Sequence, residues 1–518
     1  MPDRGRGQAR QPKPSYKQRR PVHAKPSAKP DRKGFRPPQP KHSRTSHELD
    51  PRKLAFAALA RLTPGDLLDK AVENELRRQG HEPGLVHRIL PMLEDATRFA
   101  LLFDALIAHV STRPPAKLDR DVRAALHLFL AWYLLDSPQA VYAHGQAAVD
   151  LLPANNPSRG FVNACVRRLG EFVKRADDTD NLEPASAQFW RERARLGHGR
   201  FVVAKLPIFP DPEKDLAGHL AIACGLERWF IDVLLEQHGP QGAKAVALAS
   251  IQPPPLWVRV NRLKTNPEEL AGQWSAAGLQ VERQGDALRL PENTRVVELP
   301  GFASGAFYVQ DLTSQQVAPT LGARAGETVL DLCAAPGGKT GHLAELTGDR
   351  AKVLACDVAP EKIERIQENM ARLGYQSVAT VLADARRVRF PERFDRVLID
   401  APCSNSGVLG RRVEARHRLN VAIVRELSQS QAAILENAAR NLKPGGSLLY
   451  SVCSVLMEEG VDIVRKFMTS RPQADEPGAN GVQQSREGAG WEMRSEHIVL
   501  PRPGHSDGMY WAVMQAPK

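Results

Sequence analysis

No stretch of this sequence is apolar for long enough to cross a bilayer. The longest candidate, Ala124–Leu135, is interrupted by His127 and falls short of the roughly 20 apolar residues that a span requires. Cysteine is scarce, at six in 518 residues, with no Cys-x-x-Cys pair. That excludes a disulfide scaffold and the usual structural zinc sites, and it fits a reducing, cytoplasmic setting. The dinucleotide fingerprint GxGxxG is missing, and so is the GxxxxGK[ST] phosphate loop. Neither an NAD-type cofactor nor a nucleoside triphosphate is therefore implied.

Positive charge is abundant, and its placement is uneven. The chain carries a net charge of +12, yet residues 1–48 alone hold 14 Lys/Arg against 3 Asp/Glu. The same segment has nine prolines, which rule out a continuous helix. It has no apolar core of the kind a secretory signal needs. Residues 1–48 read as a disordered basic arm that attracts a polyanion. The whole chain is 42% hydrophobic with 25% charged residues, enough for several cores.

The hydrophobic period divides the rest. Helical spacing begins near Leu54 and continues through Asp121–Leu135, Tyr142–Leu152 and Arg159–Leu169. Residues 49–175 therefore read as an all-α domain, and 176–252 as a more polar helical linker region. Pro253-Pro254-Pro255 marks a boundary. Residues 253–304 read as a small α+β module: strand Leu256–Val260, a helix from Asn266 to Ala277 capped by Asn266, then strands Leu279–Glu282 and Ala287–Leu290. Residues 305–518 alternate strands and helices. Thr328–Leu332, Lys352–Cys356, Ala379–Leu382, Asp395–Ile399 and Ser447–Ser451 read as strands, with helices Pro360–Leu373 and Val421–Asn441. Such alternation predicts a mostly parallel sheet covered by helices. Residues 471–491 read as an exposed loop.

The chemistry gathers at strand ends. Asp331-Leu-Cys-Ala-Ala-Pro-Gly-Gly-Lys339 lies between a buried strand and a helix, where Gly337-Gly338 let backbone approach a ligand. Asp357 and Asp384 end the next two strands, and an acid at the second position is placed to accept from ribose hydroxyls. Asp400-Ala-Pro-Cys403 and Tyr450-Ser-Val-Cys-Ser454 end two more strands, so two cysteines face one crevice. A thiolate adds readily to an electron-poor ring carbon at neutral pH, which favours covalent catalysis over metal binding. Cys165, Cys224, Cys333 and Cys356 read as structural.

These motifs in combination resemble the RNA cytosine-5 methyltransferases that use S-adenosyl-L-methionine. Gln310-Asp-Leu-Thr-Ser-Gln315 is similar to the segment preceding their first motif, and Trp257-Val-Arg-Val-Asn261 to their small RNA-binding module. Leu118–Leu169, with Gly160-Phe-Val-Asn-Ala-Cys-Val-Arg-Arg168, is similar to an antiterminator-type, NusB-like helical domain. This order resembles the bacterial 16S ribosomal RNA cytosine-5 methyltransferase B family (Fmu/Sun type). The resemblance implies a C-terminal Rossmann-like catalytic domain and a monomer without membrane association, acting on 16S ribosomal RNA, free or in an assembling subunit.

By resemblance, Cys333, Ala334, Ala335, Pro336, Gly337, Gly338 and Lys339 wrap the cofactor, Asp357 meets its ribose and Asp384 its adenine. Cys453 is the nucleophile, Cys403 assists release, and Asp400 touches both cofactor region and base. The chain departs from the family pattern in three places. Val452 replaces a Thr, Ser404-Asn-Ser-Gly407 replaces Ser-Gly-Thr-Gly, and His417 stands where an aromatic is common. Asn tolerates positive φ, so the turn at 405 stays feasible. Transfer RNA as substrate, a non-catalytic assembly factor and an NAD-dependent dehydrogenase remain alternatives.

Overall fold

The computed structural model describes residues 50–136, 140–177, 187–292, 294–470 and 490–518. The basic arm 1–48 and nearly all of the 471–491 loop lie outside the described residues. Residues from Asp50 to Lys518 form one compact unit.

Seven helices come first: Pro51–Arg61, Leu68–Arg78, Val86–Arg98, Ala100–Val110, Arg120–Ala131, Val141–Asp150 and Arg159–Phe172. Asp50 caps the first by accepting from Arg52 N–H at 3.0 Å, with Pro51 at the first helical position. Arg120–Ala131 is central and buried from Ala124 onward. His127, the polar interruption in the apolar run, is buried there with its Nε2 2.8 Å from Asp104 Oδ1.

The next region corrects an expectation. Residues 176–252, read as helical, contain strands. β1 (Val173–Asp177), β2 (Arg193–Gly197) and β3 (Arg200–Ala204) form an antiparallel sheet in the order β1-β3-β2. The hairpin turns on two left-handed glycines, Gly197 and Gly199, with His198 between them also at positive φ. The helices Leu216–Cys224 and Arg228–Ser250 follow, the latter kinked where Gly239 (φ +66°) precedes Pro240.

In the small module, β4 (Leu256–Val260), β5 (Glu282–Gln284), β6 (Ala287–Leu290) and β7 (Phe307–Val309) order as β5-β6-β4-β7. Asn266 accepts from Glu269 N–H at 2.9 Å and starts the helix Pro267–Ala276. That helix buries Trp274 edge-on against Phe307, with ring centroids 5.1 Å apart. The strand read at Leu279–Glu282 sits later, as β5 at Glu282–Gln284. The sheet also runs past the boundary at 304, because β7 pairs with β4.

The large sheet holds β8 (Thr328–Leu332), β9 (Lys352–Asp357), β10 (Val378–Leu382), β11 (Phe394–Asp400), β12 (Leu442–Val452), β13 (Glu492–Val499) and β14 (Met509–Gln515). Their order is β10-β9-β8-β11-β12-β14-β13, and only β14 runs against the others. The chain moves outward from β8 to β10, then returns to β11 on the other side of β8. That reversal opens a crevice at the carboxyl ends of β8 and β11.

Two buried arginines tie the helical region to this sheet. Arg98 donates to Gly410 O at 2.8 Å and Ser250 O at 3.2 Å. Arg416 donates to Ser250 O at 2.8 Å, to Cys224 O and Gly225 O at 3.3 Å, and to Arg98 O. Burial lowers the pKa of both, that of Arg416 to about 9. Backbone carbonyls solvate these charges in place of water.

Candidate active site

The crevice is built by the turn after β8. Cys333 (φ +61°) and Gly337 (φ +98°) take left-handed backbone, and the helix Gly338–Leu346 starts immediately. A Cβ on Gly338 would lie 2.9 Å from Tyr308 Cε1, so packing excludes one there. Asp331 is fully buried beneath the turn. Thr340 donates to its Oδ2 at 2.6 Å, while its Oδ1 has no partner in the protein. Burial pushes its pKa up to about 7.

Lys339 and Asp400 meet across the crevice, with Nζ to Oδ2 2.7 Å; Ser451 donates to the other carboxylate oxygen at 3.1 Å. They line a cavity of about 320 Å³ together with Asp331, Ala334, Ala335, Pro336, Gly338 and Cys453. Asp357 and Asp384 are not in its lining. The Asp357 carboxylate accepts from Ala335 N–H at 3.1 Å and Val358 N–H at 2.8 Å, with Lys362 at 3.2 Å. Asp384 holds Arg386 through contacts of 2.8–3.1 Å, and that hydrogen-bonded guanidinium keeps its pKa below the ordinary carboxylate value.

Sheet register brings the cysteines together. β11 and β12 are parallel neighbours with Asp400 opposite Ser451. Cys403 and Cys453 therefore leave adjacent strand ends, and their sulfurs are 3.1 Å apart. The Cys453 thiol donates to Asn405 Oδ1 at 3.2 Å. Asn405 takes φ +62°, and so the residue that departs from the family pattern touches the second cysteine. The hydrogen bond with Cys453, followed by burial, raises the Cys403 pKa well above the ordinary thiol value. Burial likewise raises Cys333, Cys165, and Cys224 and Cys356, the last two to about 12, which suits structural thiols.

Sequence reasoning missed three parts of the site. Glu459, fully buried, binds both cysteine loops. Arg411 sits on the cavity wall between Asp507 (3.1 Å) and Asp311 (3.6 Å). Burial raises the Asp507 pKa to about 7. Arg259, of the Trp257–Asn261 motif, pairs with buried Glu345 at 3.2 Å and donates to Gly338 O at 2.9 Å. It fastens the small module to the glycine turn. The only advance signal for Glu459 was an acid six residues beyond Cys453, next to an apolar helix. Among the described residues, no group of three or more His, Cys, Asp or Glu side chains could hold a metal ion.

The seven-stranded sheet, its crevice and the two strand-end cysteines define a methyltransferase domain. Residues 318–515 match the family model described as 16S rRNA methyltransferase RsmB/F, and residues 226–297 match that of an RsmF/B-like ferredoxin-like domain. Over these residues the chain is similar to the RsmB/F methyltransferase domain and to the ferredoxin-like domain described with it. The chain is similar to ribosomal RNA small subunit methyltransferase B of Cronobacter sakazakii, 40% identical over 253 residues, covering 47% of this chain and 58% of that protein. The protein of that name from Klebsiella pneumoniae is 36% identical over 299 residues, covering 55% and 64%. The chain therefore spans about three fifths of the length of these relatives. The solved structure of PH0851 superposes with a TM-score of 0.64 over 90% of this chain and 99% of that one, at 24% identity, a likeness of fold. No helix among the described residues is long and apolar enough to cross a membrane.

Proposed function

We propose that this protein transfers a methyl group from S-adenosyl-L-methionine to C5 of a cytosine in 16S ribosomal RNA, through a covalent bond between Cys453 and C6. The observation that carries the reading is the pair of sulfurs 3.1 Å apart beside the Lys339–Asp400 ion pair, in the crevice of a methyltransferase sheet.

The residues present suit the cofactor. The unpartnered Oδ1 of Asp331 offers an acceptor, Gly338 lines the cavity without a side chain, and Asp357 adds a carboxylate at the end of β9. In this reading, Cys333 to Lys339 hold it with Asp357, and Asp384 lies near its adenine. When bound, S-adenosyl-L-methionine supplies a methyl group on a sulfonium, the electrophile that C5 requires.

Cys453, as thiolate, attacks C6 and shifts electron density to C5. Asp400 hydrogen-bonds the pyrimidine edge while charge develops there, and Lys339 holds that carboxylate in place. Once C5 has taken the methyl group and given up its proton to a base, the C6–sulfur bond breaks with its electron pair returning to Cys453, and the Cys403 thiol is placed to assist that departure. The cytosine must be unstacked for its C6 to be reached, so the target lies in a loop or is flipped out. The helical region 51–172 acts in this reading as a NusB-like RNA-binding domain, and the arm 1–48 adds attraction to phosphates. Bisulfite sequencing of 16S ribosomal RNA from a strain without this gene tests the proposal. One cytosine should lose protection and regain it on complementation. Unchanged protection at every cytosine would overturn the 16S assignment.

A further inference from the structure

We propose that Glu459 is the positioning residue of this site: its carboxylate locks the two cysteine loops against each other and keeps Cys403 a thiol beside a reactive Cys453. The inference rests on the division of labour proposed above for the two cysteines.

The geometry is a closed set of donors. Oε1 of Glu459 accepts from Ser404 N–H at 2.8 Å and from Gln431 Nε2 at 3.1 Å. Oε2 accepts from Ser454 Oγ at 2.6 Å and from Ser404 Oγ. An ionised carboxylate only accepts, and four donors fill its lone-pair sites. Two of these donors belong to the loop of Cys403, one to the residue after Cys453, and one to the helix Val421–Arg440. Gln431 extends the tie by donating to Pro402 O at 2.9 Å. Glu459 is itself anchored, since Tyr450 OH donates to its carbonyl at 2.6 Å. Ser406 and Ser454 share a further hydrogen bond of 2.7 Å, and Gly407 N–H donates to Cys453 O at 3.1 Å.

The charge matters as well as the ties. Glu459 is fully buried, and the four groups that donate to its carboxylate are all neutral dipoles. Cys403 faces that anion, Cys453 and the Tyr450 phenol, while Asn405 Nδ2 donates to its carbonyl. A second negative charge on Cys403 is therefore costly. Cys453 faces Cys403, Asn405 and the cavity that holds Lys339 and Asp400. The hydrogen bond with Cys453 and burial also disfavour a Cys403 thiolate, and the Glu459 charge adds to them, so its loss weakens the preference between the two sulfurs.

Site-resolved alkylation of the full chain by iodoacetamide, followed across about pH 6–10 by peptide mass spectrometry, tests this without RNA or cofactor. In the native protein, Cys453 should alkylate at lower pH than Cys403. In Glu459→Gln, Cys403 should alkylate faster than in the native chain at each pH, about tenfold for each unit by which its pKa falls. An unchanged Cys403 alkylation rate in a folded Glu459→Gln protein would overturn the proposal. Should that variant not fold, Ser454→Ala removes one tie and keeps the charge. Diamide then reads the geometry, taking two electrons and two protons from the thiol pair to form one disulfide and the hydrazine. The variant should cross-link about tenfold more slowly than the native chain, roughly what about 1.4 kcal/mol of lost alignment gives; an equal rate would overturn the clamp. If native protein shows this alkylation order yet forms no adduct with RNA, the methylation reading falls and the clamp stands.

Discussion

The ammonium of Lys339 lies 2.7 Å from Oδ2 of Asp400, joining the turn after β8 to the end of β11. This bond spans the two parallel strands between which the strand order reverses. It unites the glycine-turn motif, read as a cofactor cradle, with the carboxylate read as a base contact. Lys339→Met should leave the fold intact, because Asp400 is 33% exposed and can be resolvated. Single-turnover methyl transfer should fall by about 10²–10³, the scale for removing one preorganised electrostatic partner. Transfer at the native rate would remove the pair from the reaction.

The two cysteines should part in their phenotypes. Cys453→Ala should be inactive and form no bond to RNA. Cys403→Ala should accumulate a protein–RNA adduct that survives denaturing electrophoresis when cofactor is present. The reverse pattern would exchange their roles.

Asp331 makes stability depend on pH. Its pKa is raised from 3.8 to about 7 by burial, so the native state favours the protonated acid. The folded chain then binds more protons than the unfolded one, and stability falls as pH climbs from about 4 through about 7. Asp331→Asn should therefore be more stable than the native chain at pH 8, by an amount on the order of 1–4 kcal/mol, with the gain shrinking toward pH 5. Urea denaturation at both pH values measures it. A gain of the same size at both would show that Asp331 titrates as an ordinary carboxyl.

Arg416 should be structural. Replacing it by Met removes this donor from the carbonyls of Arg98, Cys224 and Gly225, while Ser250 O keeps only Arg98. Each stranded buried carbonyl costs about 1–3 kcal/mol. Limited proteolysis should release residues 50–250 as a fragment much faster than from the native chain, while the catalytic domain persists. Native resistance would mean that Arg98 alone suffices.

The basic arm offers a test through salt. Deleting residues 1–48 should flatten the salt dependence of RNA binding, since Lys and Arg groups that meet phosphates release counterions, and leave the modified position unchanged. An unaltered slope would deny the arm a role in binding, and a shifted position would mean that it reads sequence.

Much of this protein follows from its sequence taken locally. Strands Leu256–Val260 and Thr328–Leu332, the helix capped by Asn266, and the strand-end placement of Asp357, Asp400, Cys403 and Cys453 are set by short-range periodicity and turn chemistry. Those forces act over a few residues, so they are legible in a few residues. The β1–β3 sheet was not, because its short strands are rich in arginine and carry no clean alternation. Tertiary structure alone decided that Asp400 stands opposite Ser451, and hence that two sulfurs fifty residues apart meet at 3.1 Å. It alone placed Glu459 under both loops and set Arg98 against Arg416. Such pairings depend on strand order and on which buried polar groups must find partners, and no local pattern encodes either.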